Sequence, residues 1–356
     1  MIDMIRKQQR TVRRWIGLGT MTLALPVFCH STSLQAQGYA VSNLVSDIPG
    51  AAANTDTNLV NAWGMAVLPG NTLVVNANEN SLAGFYTGDG QLTGFYLGVN
   101  AAPSGLYWNP FGGFPVSDGF KTRSSSLIFV TEAGTILGWN PSFASPNAVV
   151  AVDNSAFDAV YKGVTRIGDL LFAANFKVGV VDVYDSHWNW ITAFTDSHVD
   201  PGFAPFNVAN IDGLLYVSFA KRLAPDFEDD EAGPGNGFVD VFTKEGRFVR
   251  RLVSHGPLNS PWAMIKAPDH FGPFSHALLV GNFGNGLINA FDSHTGAFLG
   301  SLSDSVGNPI AIDGLWGLDF SVTKMNGKFV PTLYFSAGPN DEGDGLVGRI
   351  TPAAAD

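Results

Sequence analysis

The residues best suited to chemistry in this sequence are amides and carboxylates beside short apolar runs. Asn76, Asn175 and Asn282 each close such a run, and Asp313 precedes another. Oxygen ligands of this kind suit a hard cation such as Ca²⁺, which takes roughly 6–8 of them. The recurrence predicts a candidate Ca²⁺ site formed by these four residues. The competing interpretation is that asparagine at the end of a strand caps a turn by bonding nearby backbone.

Three residues are candidates to accept a proton beside such a cation: Glu132, His198 and His255. A cation that polarises a carbonyl, together with a side-chain base, would support hydrolysis or elimination. The other histidines are expected in turns and loops remote from this site, and two histidines are too few for a zinc or copper site. The acidic stretches 226–231 and 341–344 are interpreted mainly as solvated loops.

Familiar catalytic signatures are missing from the sequence. It contains no G-x-S-x-G, H-E-x-x-H or P-loop motif, and Gly343–Gly348 fits G-x-G-x-x-G without a βαβ pattern around it. The single cysteine, Cys29, lies in an N-terminal segment that we expect to be removed. We therefore expect no nucleotide, haem or zinc cofactor.

The N-terminal segment has the layout of a signal peptide over residues 1–36. A basic start that ends at Arg14 precedes an apolar stretch, Trp15–Cys29, and a small-residue cleavage site at Ala36. We expect export to the periplasm or the cell exterior, with residues 37–356 forming one domain. No later segment reaches the roughly 18 apolar residues of a membrane span.

The acidic balance of the chain limits its partners. The formal net charge is −11 at pH 7, and removal of the basic N-terminal segment would make the remainder more acidic. Such a surface repels phosphate backbones, so no nucleic-acid partner is expected.

Six repeated units must position the candidate residues. Each unit opens with a short phrase, such as Asn61-Ala62-Trp63-Gly64, Val160-Tyr161-Lys162-Gly163 or Ser260-Pro261-Trp262, and continues with short apolar runs separated by glycine, asparagine and aspartate. Runs of this kind are typical of antiparallel strands. Four strands in each of six units predict an all-β, six-bladed β-propeller. The tryptophans near the first strands (Trp63, Trp108, Trp262 and Trp316) are interpreted as packing between blades.

The last unit lacks a fourth strand, and the run at residues 39–45 has no unit of its own. We predict that this run pairs in the last blade and closes the ring, which removes exposed sheet edges. In such a ring the second-to-third loops and the interblade connections share one face, here called the ligand face. The remaining turns lie on the far face. The metal candidates and the candidate bases are expected on the ligand face.

Several phrases resemble those of a family of exported bacterial propeller proteins of the TolB-like or NHL-like kind. They include PFNVANIDGLLYVSFA, EAGPGNGFVDVF and LLVGNFGNGLINAFDSHTGAFLGSL, and the resemblance extends from about Asn43 to Pro352. Some members end in a PEP-CTERM sorting tail, whereas this sequence ends in ITPAAAD. The resemblance implies the fold and export, but no reaction and no catalytic residue. Lactonase-type propellers are similar in using central Asn, Asp and Glu for a metal, an analogy of fold alone.

Two classes of function remain open from the sequence. The first is an exported scaffold that binds a small molecule or an extracellular protein on the ligand face without catalysis. The second is a Ca²⁺-dependent hydrolase or lyase of the lactonase-like propeller type. Catalysis requires oxygens that converge within about 2.3–2.6 Å of one point. A scaffold would leave these oxygens dispersed or bonded to backbone, and the missing catalytic signature favours binding.

Overall fold

The structure, a computed structural model, describes residues 38–325 and 327–353. The signal peptide predicted over residues 1–36 lies outside them. Within the described part, β-strands dominate, and two short 3₁₀ helices cover Ser155–Phe157 and Gly272–Phe274. No helix in these ranges combines the length and apolarity needed to cross a bilayer.

In chain order the strands are β1 (Tyr39–Ser46), β2 (Asn54–Thr55), β3 (Ala62–Leu68), β4 (Thr72–Ala77), β5 (Leu82–Thr87), β6 (Leu92–Gly98), β7 (Pro103–Trp108), β8 (Pro115–Ser117), β9 (Thr122–Ser124), β10 (Leu127–Thr131), β11 (Thr135–Trp139), β12 (Val149–Asp153), β13 (Tyr161–Ile167), β14 (Leu170–Asn175), β15 (Val180–Asp185), β16 (Trp190–Phe194), β17 (Phe203–Ile211), β18 (Leu214–Lys221), β19 (Phe238–Phe242), β20 (Phe248–Ser254), β21 (Pro261–Lys266), β22 (Leu278–Asn282), β23 (Ile288–Phe291), β24 (Phe298–Ser301), β25 (Leu315–Met325), β26 (Lys328–Ala337) and β27 (Leu346–Pro352).

These strands form six blades, antiparallel except for the short β2, which pairs parallel to β1, and this confirms the predicted six-bladed β-propeller. Blade one is β3–β6, blade two is β7 with β10–β12, blade three is β13–β16, blade four is β17–β20 and blade five is β21–β24. Blade six has the order β2-β1-β27-β26-β25. The separate hairpin β8–β9, inserted after the first strand of blade two, is absent from the repeat pattern.

The ring closes as the sequence predicts. Strand β1 pairs antiparallel with β27, with Val41 opposite Ile350 and Val45 opposite Val347. The first strand of the described chain therefore completes the last blade.

Apolar side chains fill the space between each pair of neighbouring blades, in six separate clusters. Val74 of blade one, for example, packs in one cluster with Phe129 of blade two. At the closure, Val45 and Val347 of blade six pack with Leu73 of blade one. Because each blade contributes both faces to such clusters, a blade buries its apolar surface only when both neighbours are present.

A β-bulge interrupts the inner strand of every blade near the ligand face. A bulge leaves a residue unpaired and re-aims its side chain. The corresponding residues of blades one to six are Trp63, Ser104, Lys162, Phe206, Trp262 and Trp316. We call these six the bulge positions.

Aromatic side chains from the bulge positions meet across the propeller axis. Trp316 stacks on Trp63, with 3.7 Å between ring centroids, and on Phe283 at 3.9 Å. Trp63 and Trp262 contact each other at 6.4 Å although their blades are not neighbours. The three tryptophans therefore pack with one another on the axis, together with Phe206 and Phe283. This group is called the aromatic plug, and it separates the ligand face from the central channel below it.

Candidate functional site

Lys162 is the one charged residue among the six bulge positions. Its side chain is only 2% exposed, and its ammonium lies 5.1 Å from the ring centroid of Trp63. Nζ donates hydrogen bonds to Glu132 and, at 3.2 Å, to Asp229. Burial by itself lowers the pKa of Lys162, but the two carboxylates outweigh burial and hold that pKa above its ordinary value. Lys162 is therefore a fixed positive charge and is unsuited to act as a nucleophile.

Glu132 comes from the second-to-third loop of blade two. Besides its ion pair with Lys162, its Oε2 accepts a hydrogen bond of 3.0 Å from Nδ2 of Asn78. Glu132, one of the candidate bases, therefore lies on the ligand face. Its carboxylate forms an ion pair with the buried ammonium of Lys162.

Glu342 lies in the corresponding loop of blade six. Its Oε1 accepts a hydrogen bond of 3.0 Å from Nδ2 of Asn61. The pKa of Glu342 is raised to about 7, chiefly by burial and in part by the negative charges of Glu132 and Asp229, which outweigh the lowering effects of the Asn61 hydrogen bond and of Lys162. At neutral pH this carboxyl group is therefore able both to release and to accept a proton.

The loop that carries Glu342 has an unusual backbone. Asn340, Asp341 and Glu342 are consecutive residues with φ of 59°, 50° and 65°. Residues other than glycine rarely adopt this left-handed region, and such conformations cluster at functional sites. The backbone of this loop and the pKa of its glutamate mark the same place on the ligand face.

Asp230 adds a fourth carboxyl group beside Lys162. The pKa of Asp230 is raised to about 6, because burial outweighs the lowering effects of the adjacent Ser260 hydroxyl and of Lys162. In the described chain, Oδ2 of Asp230 and Oγ of Ser260 have no partner other than each other, and Nε1 of Trp63 is buried without a hydrogen-bond partner. Buried polar atoms without partners are rare in folded proteins, so Nε1 of Trp63 is available to a bound ligand or water.

We call this group the axial mouth. It comprises Asn61, Asn78, Glu132, Lys162, Asp229, Asp230 and Glu342, which come from five of the six blades. Among the described residues, the only ion pairs of its four carboxyl groups are those of Glu132 and Asp229 with Lys162. The axial mouth is therefore electronegative whenever most of these carboxyl groups are ionised.

Two of the predicted Ca²⁺ ligands have an unused amide oxygen. Asn76 donates from Nδ2 to the Ser104 carbonyl at 3.0 Å, and Asn282 donates to the Pro257 carbonyl at 2.8 Å. Oδ1 of both asparagines is buried and has no partner among the described residues. Asn76 thus links the end of β4 to the inner strand β7 of the next blade, and Asn282 links the end of β22 to the connection that precedes β21. The amide oxygen of each side chain has no partner in the described chain.

The other two predicted ligands are already engaged. Asn175 accepts from the Val160 N–H at 3.2 Å and donates to Asp182 at 3.0 Å. Asp313 is exposed and accepts from the Asn340 N–H at 2.9 Å. Over the described ranges, no group of three or more His, Cys, Asp or Glu side chains is arranged to hold a metal ion. A Ca²⁺ site at the four residues stays a prediction.

The structure does not bring the two candidate histidines to Glu132. His198 is 81% exposed, and its Nδ1 lies 2.9 Å from Oδ1 of Asp196. His255 is about half exposed, and its Nδ1 lies 2.6 Å from the Gly235 carbonyl while its ring packs against Phe238. Each histidine therefore has local partners of its own.

Sequence reasoning missed Lys162 and gave too little weight to Asp230 and Glu342. The repeat alignment contained the signal for Lys162, because its phrase stands where the other units carry Trp63, Trp262 or Trp316. A charge at a position that is aromatic in sister repeats indicates a special environment. The two carboxyl groups had no comparable signal, because acidic loop residues are usually solvated.

Comparisons with known proteins support the fold. No protein-family model matches the sequence. Two uncharacterized proteins of Acanthamoeba polyphaga mimivirus are 32% and 33% identical to it over 326 and 328 residues, covering 88% of this chain in each case and 80% and 85% of the relatives. The bacterial origin and export implied by the sequence resemblance remain predictions.

Two solved structures share the architecture. Virginiamycin B lyase from Staphylococcus aureus superposes with a TM-score of 0.51 at 13% identity, covering 88% of this chain and 98% of the lyase. A luciferin-regenerating enzyme superposes with a TM-score of 0.55 at 11% identity, covering 89% and 98%. At these identities the likeness shows the fold alone.

Proposed function

The chain belongs to the family of these two mimivirus proteins, and we propose that it binds a small organic cation at the axial mouth. One observation carries the proposal: within the described residues, Lys162 is the only cationic side chain that pairs with any of the carboxyl groups of Glu132, Asp229, Asp230 and Glu342, and its ion pairs are with the first two. A second positive charge supplied by a ligand would be attracted to the uncompensated carboxylates. This proposal retains the ligand-face binding role that the sequence favours.

The individual groups suit an ammonium ligand. Asp230 is a buried carboxyl group whose neighbour is the neutral Ser260 hydroxyl, and in the described chain it has no ion pair, so a ligand N–H would supply a charged donor. Glu342, with a pKa of about 7, would be driven to its ionised form by a neighbouring positive charge. Lys162 offsets part of the negative charge of the axial mouth.

A matched set of ligands tests the proposal. Isothermal titration calorimetry at pH 8 and low salt would compare butane-1,4-diammonium with the uncharged butane-1,4-diol and the anionic succinate. We expect binding of the diammonium ion alone, weakened roughly tenfold, or about 1.4 kcal/mol, by Glu342→Gln. Asp341→Asn, which removes an exposed carboxylate from the same loop, is the control and should change the affinity little. Equal binding of the diol, or an unchanged affinity in Glu342→Gln, would refute the proposal.

A Ca²⁺-dependent hydrolase or lyase is the second candidate. It is supported by the free, buried amide oxygens of Asn76 and Asn282, and by a fold shared with a lyase. The expected result is one calcium per chain on elemental analysis, with a melting temperature that EDTA lowers in the wild type but not in Asn76→Ala. Protein that is free of calcium and melts identically with Ca²⁺ and with EDTA would exclude this candidate.

A further inference from the structure

A cavity lies on the other side of the aromatic plug from the axial mouth. It is the central channel, with a volume of about 570 Å³, and it reaches the far face near Asp212 and Lys266. Each blade contributes apolar residues to its wall, among them Met65, Leu106, Val164, Val208, Met264 and Leu318, beside polar residues such as Asn207 and Asn210. Cavities of roughly 300–1,000 Å³ have the size of small-molecule sites.

One carboxylate in the channel has no positive partner. Asp319 accepts hydrogen bonds of 2.8 Å from the backbone N–H groups of Val67 and Phe320, which fix its orientation. In the described chain no cationic side chain forms an ion pair with it, whereas the other acidic residue in the wall, Asp212, is paired with Lys266. Asp319 is thus a carboxylate without an ion-pair partner in a cavity whose wall has both polar and apolar parts.

We infer that the channel binds a hydrophobic organic ammonium ion, with the nitrogen at Asp319 and the hydrocarbon part against the six apolar side chains. The ammonium would supply the missing counter-charge, and the hydrocarbon would leave water for the channel wall. A carboxylate ligand would be repelled by Asp319. This site is independent of the axial mouth because the aromatic plug, with Trp316 only 1% exposed, lies between the two.

Three ligands of equal chain length test the inference on the wild-type protein. Titration calorimetry would compare n-hexylammonium, n-hexanol and hexanoate. We expect the ammonium ion to bind at least tenfold more tightly than the alcohol, and hexanoate not to bind. Failure of hexylammonium to bind, or binding of hexanoate with equal affinity, would overturn the inference.

Two variants locate the site. Asp319→Asn keeps an oxygen for the Val67 N–H and should weaken hexylammonium at least tenfold while leaving hexanol unchanged. Ala209→Phe, at a partly exposed position of the wall, should weaken both ligands because it narrows the channel, and it keeps the inference testable if Asp319→Asn does not fold. Glu342→Gln should leave hexylammonium binding intact, which separates this site from the axial mouth. Wild-type affinity in both channel variants would place the ligand elsewhere.

Discussion

Single side chains at the axial mouth show how burial and charge set chemical behaviour. Lys162 and Glu342 are both shielded from solvent, and the pKa of each lies above its ordinary value, but for opposite reasons. For Lys162 the cause is the attraction of two carboxylates, which outweighs burial. For Glu342 the cause is burial itself, reinforced by neighbouring negative charge. Lys162 therefore stays positively charged, whereas the charge of Glu342 changes near neutral pH.

Glu342 should make stability depend on pH in a defined direction. Its pKa is about 7 when folded and near 4.5 when unfolded, so the folded state binds the proton more tightly. Its stabilising contribution is therefore complete below about pH 4.5 and is lost as the pH rises through 7. Glu342→Gln, which mimics the protonated form, should be more stable than wild type at pH 8, on the order of 2 kcal/mol, with little difference at pH 4.5.

Urea unfolding at both pH values measures this effect. Asp341→Asn is the control, because its exposed side chain should give no comparable pH-dependent difference. A Glu342→Gln variant that tracks wild type from pH 4.5 to 8 would show that burial does not perturb this carboxyl group.

Among the structural elements, the bulged inner strand carries the main functional consequence. The bulge in each of the six blades directs one side chain towards the axis, and the type of that residue determines whether the axis is closed by aromatic packing or carries a charge. Aromatic residues in four blades close the axis, and lysine in blade three charges one side of it. The repeats predict these strands well, since their apolar alternation and glycine turns are local signals.

The meeting of the bulge positions was harder to predict. It depends on ring closure and on a register shift of one or two residues, and neither is encoded by local alternation. The β8–β9 hairpin was missed for a related reason, because an insertion in one blade has no counterpart in the repeat.

Lys162→Met tests the role of the charged bulge position. Removal of the ammonium leaves Glu132 without its buried counter-charge, and breaking a buried ion pair costs about 3–5 kcal/mol. Chemical denaturation at pH 7 should show a loss of this size. Lys177→Met, which removes a more exposed ion pair with Glu228, should cost no more than about 1 kcal/mol. Similar losses in both variants would mean that the burial of Lys162 has no energetic consequence.

At the scale of the whole molecule, stability depends on a closed ring of interblade clusters. Closure was predictable because a missing strand at one end of the chain matched an unassigned run at the other. The candidate site was less predictable, because its residues come from five blades and are distant in sequence. The asparagine ligands remain a prediction, and the grouping of carboxyl groups around Lys162 could not be inferred without the fold, because it joins loops of separate blades.

Two valines on the closing strand test this architecture. Val45 is 1% exposed between blades six and one, whereas Val41 is 41% exposed on the same strand. Val45→Asp should destabilise the protein by more than about 3 kcal/mol, because it buries an unpaired carboxylate. Val41→Asp should be nearly neutral in the same denaturation experiment. The reverse order would indicate that the closing strand pairs in another register.

The account as a whole depends on a positively charged ligand at the loop end of the axis. The most direct measurement is a crystal structure of the protein soaked with butane-1,4-diammonium at pH 8. We predict a ligand nitrogen within about 3 Å of the Glu342 or Asp230 carboxylate, with Lys162 still paired to Glu132. A ligand-free axial mouth under saturating conditions, or an outward-pointing Lys162 in solvent, would contradict the central claim.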